Sequence, residues 1–270
     1  MNDVERSIIN RITNLATGVA KATSLKEKYN LIINLDHVIL SNLLSLEEEN
    51  EVYEKLDKNV KDEVQNLYVN FETDIENSID ELINIDNKNN EFLFDEKKNV
   101  IVPYFQRYIE LVKDEQKHFK VKTHDKVLWI GSGPFPSSAM ILNSIVGCHI
   151  DCIDISDAAV NNSRKLFKNL GLSNLINVIK ANGTEIDSSH YDKIFIGVLA
   201  SPINPIMENI LEHSKRNVTL LKRVTYGLRN LIYPTPRITI PMSQYFLNNK
   251  YRASGDQVIS HIIYYPKLGL

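Results

Sequence analysis

The stretch VLWIGSGPFPSSA, Val127 to Ala139, decides the fold. Val127 to Ile130 are four consecutive apolar residues, the pattern of a strand buried on both faces. They run into Gly131-Ser132-Gly133, where glycine permits a sharp turn and lets a ligand approach the backbone. SSAMILNSIVG then reads as a helix ending at Gly147. Strand, glycine turn and helix are the first unit of a doubly wound sheet, whose ligand lies at the carboxyl ends of the strands.

The alternation continues from there. HIDCIDIS is a second strand, and DAAVNNSRKLFKNLG a helix with Asp157 near its start and Gly171 at its end. INVIKANG and KIFIGVL are further strands. NPIMENILEHSK is a helix with Asn204-Pro205 as cap and first-turn pair. NVTLLKRV and QVISHIIYYP close the series as strands. Residues 121–270 are therefore expected to form an α/β, Rossmann-like doubly wound parallel sheet.

Before residue 120 the pattern is helical. Ile8, Ile9, Ile12, Leu15 and Val19 recur at three-to-four spacing. LIINLDHVILSNLLSL, VKDEVQNLYVNFETDIENSIDELINI and VPYFQRYIELVKDEQKHF read the same way. Only Gly18 and Pro103 interrupt this part, so long helices are expected. An all-α bundle over 1–120 is the expectation, with an extended helical interaction arm as the alternative.

Bulk composition narrows the function. Across 270 residues, 43% are hydrophobic and 24% charged, as in ordinary globular proteins. A net charge of -3 and no Lys/Arg run give no footprint for nucleic acid. Cys148 and Cys152 sit in an apolar stretch and read as buried free thiols of a reducing compartment. No run reaches the roughly 18–20 apolar residues of a membrane span, and the polar N-terminus lacks a signal-peptide core. A cytoplasmic protein, bound neither to nucleic acid nor to a membrane, is expected. His124 and His190 read as loop residues and His261 as part of a strand, so no metal cluster is expected.

The glycine loop also selects the nucleotide. Asp154 ends the second strand, where a carboxylate accepts both ribose hydroxyls, and Asn182-Gly183 ends the third, where adenine is commonly read. A dinucleotide needs free N–H groups for its pyrophosphate. Here Pro134 and Pro136 have none, and no third glycine follows. S-adenosylmethionine, which carries no phosphate, is favoured over NAD. Its expected contacts are Gly131, Ser132, Gly133, Pro134, Asp154, Ile155, Asn182 and Gly183.

WIGSGPFPSSAMIL, KRVTYGLRNLIYP, LYVNFETDIENSID and PYFQRYIELVKDE together resemble the nicotianamine synthase family, including its archaeal and bacterial members and the staphylopine-type aminobutanoyltransferases. The similarity runs in order from near Val64 to Pro234, and its more specific part is Arg223, Gly227, Arg229, Tyr233 and Pro234. The resemblance implies that an amine attacks the gamma carbon of S-adenosylmethionine. The 3-amino-3-carboxypropyl group moves, and 5′-methylthioadenosine leaves. Amine, carbon and sulfur must then be held in line. The amine must be neutral, so a base is needed.

The resemblance places Glu76 as that base or amine orienter and Tyr108 as its partner, with the helical part covering the open end of the sheet. Arg223 and Arg229 are candidates for a substrate carboxylate, with pairing to an internal acid as their alternative. Tyr226 and Tyr233 are candidate pocket residues, with a core role as theirs. Phe135, Ser137, Ser138 and Val224-Thr225-Tyr226 depart from the family pattern and are candidates for the acceptor pocket.

The expected partner is a small amine or amino acid, and the product a metallophore or its precursor. The acceptor, the number of transfers and the oligomeric state, a homodimer included, stay open. Two other chemistries fit the same loop: a small-molecule methyltransferase, and closure of the cofactor's own amine to azetidine-2-carboxylate. A cofactor-binding scaffold without catalysis is a third reading.

Overall fold

The first three helices each start on a side-chain oxygen. In the computed structural model of the chain, Asn2 caps α1 (Asp3–Ala16) by accepting the Glu5 N–H at 2.8 Å. Ser24 with Glu27 and Ser45 with Glu48 form capping boxes at α2 (Leu25–Leu40) and α3 (Leu46–Lys55). The backbone N–H bonds received from those serines are the main reason both glutamates sit below the usual carboxylate range. Two long helices follow, α4 (Lys58–Asn84) and α5 (Glu91–Phe119). The structure describes residues 2–84, 91–244 and 246–267, with side chains described except at 20, 77–104 and 244. Ile85, which ends the apolar pattern of α4, and the side chain of Pro103 lie outside the described residues.

The chain forms two compact units. One comprises Met1–Tyr104, Thr225–Pro234 and Ala253–Val258; the other comprises Phe105–Val224, Thr235–Arg252 and Ile259–Leu270. In the first, Ile12, Leu35, Ile39, Val52, Val64, Leu67, Phe71 and Ile75 are buried. Their helical spacing puts one apolar stripe of each helix inside. The polar groups that go inside with them are paired. The Tyr68 hydroxyl donates to Asp36 at 2.6 Å, and Lys55 reaches Glu5 at 3.3 Å.

The second unit is a seven-stranded sheet: β1 (Val127–Ile130), β2 (Ile150–Asp154), β3 (Ile176–Lys180), β4 (Lys193–Ile196), β5 (Thr219–Val224), β6 (Phe246–Tyr251) and β7 (Ser260–Pro266). The strand order is β3-β2-β1-β4-β5-β7-β6. Five strands are parallel, as expected, and Ile130 stands level with Ile153 on one side and Ile196 on the other. The chain reverses direction across the sheet between β1 and β4, which makes that point the crevice of the fold.

Three differences from the sequence reading are physical. First, β7 and β6 run antiparallel, because the chain returns from β6 to β7 through a short loop rather than a crossover helix. Second, β6 was not expected, since its burial pattern leaves four central residues exposed and gives little apolar signal. Third, α8 (Ile203–His213) begins with Pro202 at its cap, not Asn204. The Asn204 side chain instead holds Thr239, accepting from its N–H and donating to its hydroxyl, both at 2.8 Å. The remaining sheet helices are α6 (Ser137–Val146), closed by Gly147 at φ +72, and α7 (Asp157–Asn169). Cys148 and Cys152 are buried free thiols. Among the described residues no helix is long and apolar enough to cross a membrane.

The sheet packs around one buried charge. Arg223 on β5 donates from Nε and Nη2 to the two carboxylate oxygens of Glu115 on α5, at 2.8 and 2.9 Å. A further bond from Nη2 reaches the Ser138 hydroxyl on α6 at 3.0 Å, and the guanidinium lies 4.9 Å from the Trp129 ring on β1. Only 7% of the Arg223 side chain and 1% of the Glu115 side chain are exposed. Removing one partner leaves the other charge buried and unpaired. Glu115→Gln should cost about 3–5 kcal/mol in urea unfolding. Replacing both Arg223 and Glu115 with Met and Leu should recover most of that loss. A double variant no more stable than Glu115→Gln would mean the pair holds the sheet by more than charge compensation.

Candidate active site

The glycine loop is closed onto its own protein. Gly131 and Gly133 both have φ +71, a backbone shape that side-chain-bearing residues rarely adopt. The N–H groups of Gly131 and Ser132 donate to the Ile153 carbonyl at 3.0 and 3.1 Å. The Gly133 N–H donates to Asp154 Oδ2 at 2.9 Å, while Asp154 Oδ1 accepts the Ser156 N–H at 2.9 Å. Ser163 Oγ on α7 lies within 3.0 Å of the carbonyls of Gly133, Pro134 and Ala159. With Pro134 and Pro136 lacking an N–H, five of the six positions 131–136 have no donor left for an anion. A phosphate cradle is absent from this loop.

What the loop does present is polar and small. Ser132 Oγ is buried with no hydrogen-bond partner among the described residues. Each Asp154 oxygen accepts one N–H and keeps a second lone pair. Two large apolar side chains flank β1 at the strand ends and stay open to solvent, Ile155 at 65% and Leu199 at 50%. Asn182 Oδ1 accepts the Thr184 N–H at 3.1 Å and so shapes the turn after β3. Gly183 is explained by packing: a Cβ there would stand 2.9 Å from Ile130 Cγ2.

Two residues at this crevice were missed by the sequence reading. A Cβ on Gly197, after β4, would stand 2.8 Å from the Gly131 carbonyl oxygen, so only glycine lets the two loops meet. The signal was present, a glycine ending the run IFIG. Lys222 on β5 is fully buried and donates to the Gly197 carbonyl at 2.9 Å and more weakly to that of Val198. Burial pushes its ammonium down to about 7.

The arginine segment corrects several expectations. Arg223 is engaged by Glu115 and Ser138, the internal-acid alternative, so it has no free fork for a substrate carboxylate. Arg229 donates to the carbonyls of Gln257 at 3.1 Å and Gly255 at 3.3 Å, and its Nη1 lies 3.9 Å from Glu49. It clamps a segment of the helical unit. Gly227, at φ +59, is required because a Cβ would overlap Glu49 Oε2 at 1.9 Å. Ser137, Ser138, Val224 and Thr225 are buried and internal, so they do not form an open acceptor pocket. The Thr225 hydroxyl donates to the Tyr233 carbonyl at 2.6 Å. Phe135 is half-buried and meets Phe105 edge to face at 5.5 Å. Tyr226 is half-buried.

The helical unit holds an acidic cluster. Glu76 on α4 is half-buried, and its carboxyl is pushed up to about 8, by burial first and by Glu72 second. Glu72 lies one turn earlier on the same helix and accepts a hydrogen bond from the buried Tyr233 hydroxyl. No hydrogen bond reaches the Glu76 carboxylate among the described residues. Glu76 and Tyr233 were singled out from sequence; Glu72, which connects them, was not, although its i,i+4 spacing from Glu76 marks one face. Tyr108 is half-buried on α5, in the other unit.

A glycine turn at the reversal point of a mostly parallel sheet defines an α/β protein whose ligand crevice lies at the carboxyl ends of its strands. A family model described as nicotianamine synthase protein matches residues 1–269. The chain belongs to the nicotianamine synthase family. It is 26% identical over 128 residues to an L-histidine 2-aminobutanoyltransferase of Yersinia pestis, covering 47% of this chain and 48% of that one. Over 136 residues it is 25% identical to the enzyme of the same name from Pseudomonas aeruginosa, covering 48% and 51%. The chain spans about half the length of the curated relatives it matches. The fold is similar to a glutamate-to-glutamine variant of MtNAS in complex with S-adenosylmethionine: TM-score 0.81, 19% identity, 96% of this chain and 97% of that one. MtNAS in complex with MTA and tNA gives a TM-score of 0.79 at 20% identity, with the same coverage.

The Gly197–Gly131 contact generates a test. Gly197→Ala should drive the Gly131 carbonyl away and cost about 1–3 kcal/mol, as overpacking does. Urea unfolding of the two proteins measures it. Equal stability would show that the loop relaxes freely and that the contact does not set its position.

Proposed function

We propose that this protein transfers the 3-amino-3-carboxypropyl group of S-adenosylmethionine to a small amine or amino acid. 5′-Methylthioadenosine is released, and the product is a metal-chelating amino acid derivative or its precursor. Membership of the nicotianamine synthase family supports this, as do relatives named aminobutanoyltransferases. The observation that carries it is Glu76, a carboxyl held near 8 by burial and by Glu72. An ordinary carboxylate is too weak a base for an ammonium group. Raising its basicity toward neutrality narrows that gap and suits it to general base catalysis.

The sheet unit fits the co-substrate. S-adenosylmethionine has no phosphate to place, and five of the six loop positions 131–136 have no N–H left for one. In this reading the second lone pairs of the Asp154 oxygens accept the ribose hydroxyls. Ile155 and Leu199 hold the adenine between apolar faces, and the Asn182-Gly183 turn borders it. Ser132 Oγ, buried without a partner, donates to the methionine carboxylate. Gly131, Gly133 and Pro134 supply the turn.

The chain's own groups then manage one proton. The acceptor ammonium gives its proton to Glu76, and the freed nitrogen lone pair forms the bond to the gamma carbon. The carbon–sulfur bond breaks with its electron pair going to sulfur, which becomes a neutral thioether. The product nitrogen is a secondary ammonium, and Glu76 releases the proton it took to solvent before the next turnover. Tyr108 orients the amine, and Tyr233 fixes Glu72 so that its charge continues to raise Glu76. Two buried free thiols are in keeping with a cytoplasmic setting.

Incubation of the protein with S-adenosylmethionine and a panel of amino acids, histidine included, tests this. The nucleoside by-product should be 5′-methylthioadenosine, and Glu76→Gln should bind S-adenosylmethionine normally while losing roughly 100-fold or more in turnover. S-adenosylhomocysteine as the by-product would make the protein a methyltransferase and overturn the proposal. An accumulating azetidine-2-carboxylate with no acceptor product would overturn transfer to an external amine.

A further inference from the structure

Three metal-ligating side chains that the transfer chemistry does not use converge at one end of the sheet. Asp114 and His118 lie one turn apart near the end of α5, and His261 is the second residue of β7. One ligand atom from each lies within 4.8 Å of the other two. His118 Nδ1 and His261 Nε2 are both buried without a hydrogen-bond partner among the described residues. His261 is 2% exposed. Two orphaned imidazole nitrogens are costly to leave empty, because buried polar atoms are normally satisfied.

We propose that Asp114, His118 and His261 bind a divalent first-row transition cation such as Zn2+. Two imidazoles and a carboxylate are the ligand set of borderline cations, and three protein ligands leave a position for water. Zinc–imidazole bonds are about 2.0–2.1 Å, so the set must contract by roughly 1 Å or a little more. That movement falls to Asp114 and His118, whose side chains are 49% and 31% exposed, and Asp114 gives up its 3.6 Å contact with Lys117. His261 stays fixed.

The surroundings build the site. Tyr251 on β6, opposite His261 in the strand register, stacks on His118 at 3.8 Å and on His261 at 4.9 Å. It covers one side of the cluster with an aromatic face. Glu115, next to Asp114, is occupied by Arg223 and does not compete for the ion. The site would pin the last turns of α5 to β7, beside the Arg223–Glu115 pair. It is a structural clamp, independent of the transfer reaction.

The full chain, stripped by a chelator, should take up one equivalent of Zn2+ by calorimetry. Co2+ in its place should give visible absorption of a nitrogen- and oxygen-ligated site. Asp114→Asn and His118→Gln, both at part-exposed positions, should leave the circular dichroism unchanged. Each should lower Zn2+ affinity by at least the ~10–100-fold that loss of a supporting partner costs at metal sites. Zn2+ should raise the melting temperature of the wild type and not of the variants. No uptake, or uptake and thermal shift unchanged in both variants, would overturn the site. Either result is read without any measurement of transfer activity.

Discussion

The sheet unit is organised around the buried ion pair of Arg223 and Glu115. A guanidinium on β5 is taken out of water, and everything near it is arranged to compensate. Glu115 supplies both carboxylate oxygens from α5, Ser138 adds a hydroxyl from the first turn of α6, and Trp129 lends its ring from β1. Trp129 in turn stacks on Phe195 at 4.3 Å, which meets Phe119 of α5 edge to face. One charge thus fixes a helix, a strand pair and the start of the helix that follows the glycine loop.

Two carboxyl groups receive opposite treatment. Asp154 takes an N–H on each oxygen, and its position is fixed by the loop and by the start of α7. Glu76 takes no hydrogen bond among the described residues and has an acid neighbour one turn away. Burial and the like charge of Glu72 oppose the charge on Glu76. The first arrangement suits a fixed reader of hydroxyl groups. The second suits a group that must accept and release a proton near neutral pH.

Much of this was legible in the sequence. VLWIGSG, the apolar strands that follow and the glycine helix ends led to the parallel sheet, because buried strands and glycine turns leave local marks. The prolines at 134 and 136 already argued against a pyrophosphate, and the closed N–H groups extend the same argument. The misreadings share one cause. Arg223 and Arg229 look like substrate clamps in a linear motif, yet their partners Glu115, Gly255 and Gln257 lie far off in sequence. The same holds for β6, which is exposed over most of its length. Pairings made by tertiary packing leave no spacing to read.

The central claim is that Glu76 is the base and that Glu72 helps set its pKa. The pH profile of kcat/KM reports the free protein's ionisations. As a base Glu76 works unprotonated, so kcat/KM should rise with pH through a midpoint near 8. Glu72→Gln keeps an acceptor for the Tyr233 hydroxyl but removes the negative charge. Its midpoint should move to lower pH, while burial holds it above the ordinary carboxylate value of 4.5. A wild-type midpoint in the ordinary carboxylate range, or a profile that Glu72→Gln leaves in place, would contradict the account.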